Sequence, residues 1–311
     1  MIRPTHRMYS AVSLLTLLTL LAACGGPAQP SPSHGTKKVI VVTYSILSSV
    51  VQDLVGDAAQ VVVSMPNGKD PHEWEPSAKD IEALMKADLI VQNGLGLEGG
   101  MEKTLAQARA SGVKIFTAAE HISVRKVGAG EGLPTGDPDQ AAGADDPHLW
   151  MDPLAMRDVA AALAIQIQTD LGIDVAARAS SLDTRLDALN AEIAAEVAKL
   201  PEASRKLVTG HESLGYFAQR YGFTLVGAII PAISSQAEVS ASDLASLKSL
   251  IAKNQVKAIF SELGTPPQVA QMIGQETGVK VLPLATHTLP DDGSYATFMR
   301  NLAGVIIEAL A

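Results

Sequence analysis

Short apolar runs rich in β-branched residues alternate along this chain with stretches of helical periodicity. Lys38–Thr43, Gln60–Ser64, Asp88–Gln92 and Val113–Phe116 read as strands, and Ile46–Leu54, Ser77–Ala87 and Glu98–Ala110 read as the helices between them. A second series follows Pro201: strands at Lys206–Thr209, Thr224–Gly227, Val256–Phe260 and Val281–Leu284, with helices at Asp243–Lys253 and Pro267–Thr277. Strand–helix alternation of this kind predicts parallel sheets covered by helices. Between the two series, Ala176–Leu200 contains neither glycine nor proline, and Leu182, Leu186, Leu189, Ile193 and Val197 recur at steps of three and four. One uninterrupted helix is expected there, acting as a stiff strut. The expected fold is α/β: two lobes with parallel sheets joined by one long rigid α-helix.

The N-terminus departs from this pattern. Arg3 and Arg7 precede the apolar run Ala11–Leu21, which is too short to span a bilayer as a stable helix and ends in Leu-Ala-Ala-Cys24. That ending resembles the bacterial lipobox, so residues 1–23 are expected to be a signal peptide and Cys24 the lipidated N-terminus of an extracytoplasmic protein. Residues 24–36 would be a flexible tether rich in Gly, Pro and Ser. The remaining expected boundaries are 37–172 for the first lobe, 173–202 for the linking helix and 203–311 for the second lobe. Cys24 is the only cysteine, so a mature domain has no disulfides and no thiolate ligands. The net charge of −9 argues against nucleic acid as a partner.

Histidines and carboxylates are left for any metal chemistry. His72, in Asp70-Pro-His-Glu-Trp-Glu-Pro76, follows the second strand. His148 lies in Asp146-Pro-His-Leu-Trp-Met-Asp-Pro153, ahead of a helix that Asp152 would cap with Pro153 in its first turn. His211 and His287 each follow a strand of the second series. In parallel α/β sheets, ligands bind beyond the carboxyl ends of the strands. Facing lobes would therefore gather these four side chains in one cleft. Converging neutral imidazoles suit zinc, with copper or nickel possible and magnesium or calcium disfavoured. Glu73, Glu212, Glu238 and Glu262 are candidates to orient the histidine rings. The segment from His121 to Asp146 holds Glu131, Asp137, Asp139, Asp145 and Asp146 and reads, from Glu131 onward, as a solvated acidic loop.

Asp-Pro-His-Glu-Trp-Glu-Pro-Ser, Asp-Pro-His-Leu-Trp-Met-Asp-Pro and Thr-Gly-His-Glu-Ser-Leu-Gly-Tyr-Phe resemble three signature segments of the zinc/manganese solute-binding lipoproteins of bacterial ABC importers. The resemblance extends to Asn93-Gly-Leu-Gly-Leu-Glu98, Ala258-Ile-Phe-Ser-Glu262 and the long central helix. It implies two Rossmann-like lobes, metal held between them, a membrane permease as partner, and no reaction of the protein's own. A monomer is expected. His72, His148 and His211 fall on the family's ligand positions. The fourth family ligand is usually an aspartate after the last strand. Here that place holds His287, with Asp291 and Asp292 close behind. His287 is the expected fourth ligand, the two aspartates staying as alternatives. An all-imidazole set would favour zinc over manganese, the harder ion.

Three other readings compete. Gly94-Leu-Gly-Leu-Glu-Gly99 with Glu120 downstream has the form of a dinucleotide-binding fingerprint, though on the third strand instead of the first. An extracytoplasmic zinc hydrolase would need only three histidines and an open coordination position, but position 215 is glycine, so His211-Glu212 is no HExxH motif. Cell adhesion, sometimes attributed to such lipoproteins, has no residue of its own here.

Overall fold

The computed structural model describes residues 37–128, 131 and 142–311. The expected signal peptide, Cys24, the tether, Asp137 and Asp139 lie outside these. Strand β1 (Val39–Val42) leads through α1 (Ser45–Val55) to β2 (Gln60–Val63), then α2 (Ala78–Met85), β3 (Leu89–Gln92), α3 (Glu102–Ala110) and β4 (Ile115–Thr117). The four strands form one parallel sheet in the order β2-β1-β3-β4. β1 and β3 sit in its middle, and Ile40, Val41, Val42, Leu89, Ile90 and Val91 are completely buried, as expected of strands covered on both faces.

Two helices cross between the halves: α4 (Pro153–Leu171) and α5 (Ala176–Val197). Asp152 caps α4, accepting the Leu154 N–H at 2.9 Å, with Pro153 in the first turn as the sequence suggests. The α5 stripe Leu182, Leu186, Leu189, Ile193 and Val197 is buried throughout, against α4, α1 and the C-terminal helix. Removing five such side chains from water contributes on the order of 10 kcal/mol, an upper figure. α5 is thus a structural spine held along its length.

The second half repeats the plan: β5 (Lys206–Thr209), α6 (Gly215–Tyr221), β6 (Thr224–Ala228), α7 (Ala241–Asn254), β7 (Ala258–Ser261), α8 (Pro267–Thr277), β8 (Lys280–Pro283) and α9 (Tyr295–Leu310). β5 pairs with β6 and β7 with β8, all parallel, and β5 runs beside β7 without a continuous hydrogen-bonded ladder. The repeat reaches into the sequence, since Glu75-Pro-Ser77-Ala-Lys-Asp80 and Glu238-Val-Ser240-Ala-Ser-Asp243 open α2 and α7 with the same reciprocal serine–aspartate capping box. α6 and α9 lie outside the elements expected from the hydrophobic pattern. The expected helix at Glu98–Ala110 begins with a separate 3-10 turn at Gly99–Met101, where consecutive glycines weaken the α-helix.

Candidate metal centre

The carboxyl ends of β2, β5 and β8, and the loop that follows β4, deliver one histidine each to a single buried point. His148 and His211 are fully buried, His287 is 4% exposed and His72, the most accessible, 9%. One ring nitrogen from each lies within 4.8 Å of the others. The Nε2 atoms of His72 and His211 both stand 3.3 Å from His148 Nε2. Four nitrogens arranged tetrahedrally around zinc at ~2.0–2.1 Å would be separated by about 3.3–3.4 Å. His287 Nε2 has no hydrogen-bond partner although it is buried, an arrangement that is costly unless an ion satisfies it. Asp291 and Asp292 are exposed, and Asp292 is engaged in accepting from Ser294 N–H and Thr297 Oγ1 at the start of α9. His287 therefore stands with the other three histidines, and the two aspartates do not.

The repeated Asp-Pro-His sequence has a shared geometry. Asp70 Oδ1 accepts the His72 backbone N–H at 3.0 Å, and Asp146 Oδ1 accepts the His148 N–H at 3.0 Å. Asp146 Oδ1 also lies 2.9 Å from His148 Nδ1. A proton on Nδ1 leaves the Nε2 lone pair facing the cluster. Glu262 serves the second half. Its Oε1 accepts Gly210 N–H at 2.9 Å, and its Oε2 sits 3.3 Å from His211 Nδ1, off the direction of a hydrogen bond. His287 Nδ1 lies 2.9 Å from Thr286 Oγ1, and the Thr286 hydroxyl is in turn within reach of Glu262. Trp150 joins the two sides: its indole N–H donates to Thr286 O at 3.0 Å, and its ring packs against both His148 and His287.

Burial, followed by the charges of His148 and His211, holds His72 well below the ordinary histidine range. Burial, reinforced by the other three rings, does the same to His287. His148 is also lowered by burial, against the opposing pull of Asp146. His211 differs. Burial pushes it down, but the Glu262 carboxylate, with smaller help from Asp70 and Asp146, raises it above the usual value. Glu262 is held low in return, because His211 and its hydrogen bonds outweigh its burial. The arrangement offers three neutral donors and one imidazole that shares a proton equilibrium with a buried carboxylate.

Of the other candidates, Glu73 and Glu238 are exposed. Glu212 is pushed up to about 7, chiefly by burial. His121 stacks on Phe116 away from the cluster. The acidic-loop reading needs correction at Asp146, which is 1% exposed and paired with Arg125 and His148, while Glu131 pairs with Arg125 and Asp145 with Lys126. The first backbone donors of the glycine-rich turn at Gly94 are committed to a carboxylate of the chain itself, not left for a phosphate. Glu98 Oε1 accepts Asn93 N–H at 2.6 Å and its Oε2 accepts Gly94 N–H at 3.1 Å. Gly94 (φ 89°) also abuts Thr117, leaving no room for a side chain.

Residues 40–309 match the model of the family described as "ZnuA: Zinc-uptake complex component A periplasmic". The zinc-binding protein TroA of Treponema pallidum is 29% identical over 320 residues, covering 98% of this chain and 99% of its own length. The manganese-binding lipoprotein MntA of Halalkalibacterium halodurans is 25% identical over 275 residues, 86% of this chain and 85% of its own. The solved structure of the periplasmic zinc-binding protein TroA superimposes with a TM-score of 0.77 at 26% identity, over 88% of this chain and 99% of that one.

Proposed function

The chain belongs to the periplasmic zinc-uptake component A family, a family of substrate-binding proteins and not of enzymes, and from that premise we propose that it captures zinc with His72, His148, His211 and His287 and hands it to the permease of an ABC importer. Membership of the family makes the chain a substrate-binding protein of a metal importer, and relatives are named for zinc and for manganese alike. Zinc in preference to manganese is our reading. The observation that carries it is the donor set: four imidazole nitrogens within 4.8 Å of one another, two of the spacings at 3.3 Å, and no carboxylate among them. Manganese favours oxygen donors and more than four of them, whereas zinc accepts four nitrogens. Four donors also leave a tetrahedral ion no open position for an activated water, which disfavours the hydrolase reading.

We further propose that the lobes at 37–172 and 203–311 hold the ion between them with 173–202 as the strut, that Cys24 carries the lipid anchor, and that the protein works as an extracytoplasmic monomer. The Leu-Ala-Ala-Cys sequence and relatives named as lipoproteins support the anchor. Among the described residues no helix is long and apolar enough to cross a membrane. The test is a competition in one vessel: soluble protein beginning after Cys24 is equilibrated with equimolar zinc and manganese, and bound metal is quantified. Zinc occupancy with negligible manganese is expected, and His287→Asp should move the ratio toward manganese. Preferential manganese binding by the unaltered protein would overturn the zinc reading.

A further inference from the structure

The aspartates beside His72 and His148 each have a second oxygen: that of Asp70 is bonded to the other half of the molecule, and that of Asp146 is bonded within its own half and packed against the other. Asp70 Oδ2 accepts the Ser235 hydroxyl at 2.7 Å. It also lies against Gly264, where an added Cβ would come within 2.6 Å of it. Asp146 Oδ2 takes Arg125 Nη1 at 3.0 Å, and the pair is seated on Gly215, the first residue of α6. A Cβ on Gly215 would stand under 3.0 Å from Asp146 Oδ2 and from Arg125 Nη1. That is closer than real Cβ atoms come to anything, and neither partner is free to yield, since Asp146 and Arg125 are 1% and 9% exposed.

α6 is the helix that follows His211, and it grips the His148 segment on both sides. Tyr216 Oη accepts the Arg125 backbone N–H at 2.9 Å, and Arg220 meets Asp152 through two bonds of 2.9 and 2.6 Å. The His211 helix and the His148 turn are thus interlocked through the Asp146–Arg125 pair. Gly274 is as tight, an added Cβ falling 2.6 Å from Val281, but it has no aspartate beside it, and Gly304, on the solvent side of α9, has nothing within 4 Å. At Gly215 and Gly264 the group that fills the space is the aspartate of an Asp-Pro-His turn.

We infer that Gly215 is a positioning residue for metal binding: the absence of a side chain there seats the Asp146–Arg125 pair, which fixes the His148 ring, so the fourfold donor geometry is complete only while α6 is docked on the His148 turn. Gly264 and Ser235 do the corresponding work on Asp70 and His72. Docking of the second half is thereby read out at two donors that belong to the first. Undocking α6 would release the His148 ring without requiring any change in its own loop. The inference rests on the four-histidine reading above.

The experiment compares Gly215→Ala with Gly304→Ala and the unaltered soluble protein. Alanine at the open Gly304 should be neutral or stabilising, whereas a purely structural role for Gly215 predicts lower thermal stability from the clash with zinc affinity unchanged. The expected result is a ~10- to 100-fold loss of zinc affinity in Gly215→Ala, the size typical of losing a group that orients a metal-bound histidine. Affinity is measured by chelator competition, with faster zinc release and an altered visible absorption of the cobalt(II) form as accompanying readouts. Gly304→Ala should match the unaltered protein. Arg125→Gln, which leaves Gly215 in place, should show the same loss and serves if Gly215→Ala does not fold. Unchanged affinity and an unchanged cobalt spectrum in either variant would overturn the inference. Failure of the unaltered protein to give a tetrahedral cobalt spectrum would instead sink the four-histidine reading on which it rests.

Discussion

Zinc binding should release about one proton per ion at pH 6, far fewer than four histidines suggest. All four donors must be neutral to bind. Four ordinary imidazoles with pKa near 6.5 would together carry roughly three protons at pH 6, and affinity would climb by about a thousandfold per pH unit. Here burial and mutual repulsion hold His72 and His287 well below that range, and burial lowers His148 against the pull of Asp146, so these three add little to the count. Only His211, raised by Glu262 against the effect of burial, retains a proton to displace. Affinity should therefore increase about tenfold per pH unit, ~1.4 kcal/mol, while pH lies below the His211 value, and flatten above it. The assay is calorimetric titration of zinc at pH 6 in buffers of different ionisation enthalpy, whose slope counts protons. Release of two or more protons per ion would refute the reasoning.

Glu262→Gln removes the charge that holds the His211 proton, so proton release at pH 6 should fall toward zero while zinc affinity drops ~10- to 100-fold; calorimetry reads both. Trp150→Phe strands the Thr286 carbonyl that accepts the indole N–H. A loss of about 1–3 kcal/mol is expected from that acceptor alone, with any cavity adding to it, measurable by urea unfolding of the metal-free protein.

The inner strands are legible because they are buried on both faces: Val39–Val42, Leu89–Val91 and Ala258–Phe260 are continuous apolar runs whose period hardly matters. The α5 stripe was legible because one face alone is buried. α9 carries an equally clear signal, with Tyr295, Phe298, Met299, Leu302, Ile306 and Leu310 spaced mostly at three and four, but it stands after the last strand, outside the alternation that marks the other helices. α6 has no such signal. It is seven residues long, opens on glycine, and is held by contacts to Arg125 and Asp152 far away in sequence.

The histidines were findable because strand ends mark ligand positions. The groups that orient them were harder to find. Glu262 was one of four acids with nothing to separate them until the chain brought it back to Gly210, 52 residues earlier. Asp146 looked like one more loop acid, because nothing local shows that Arg125 lies behind it. The strongest local cue was the repeat of Asp-Pro-His itself, since an aspartate two residues ahead of a histidine can accept that histidine's backbone N–H in both copies.

X-ray absorption of the zinc-loaded soluble protein tests the central claim most directly. Four nitrogen neighbours at ~2.0–2.1 Å, with imidazole scattering from all four and one fewer in His287→Ala, is the predicted result. Three imidazoles with an oxygen neighbour, unchanged by His287→Ala, would contradict it.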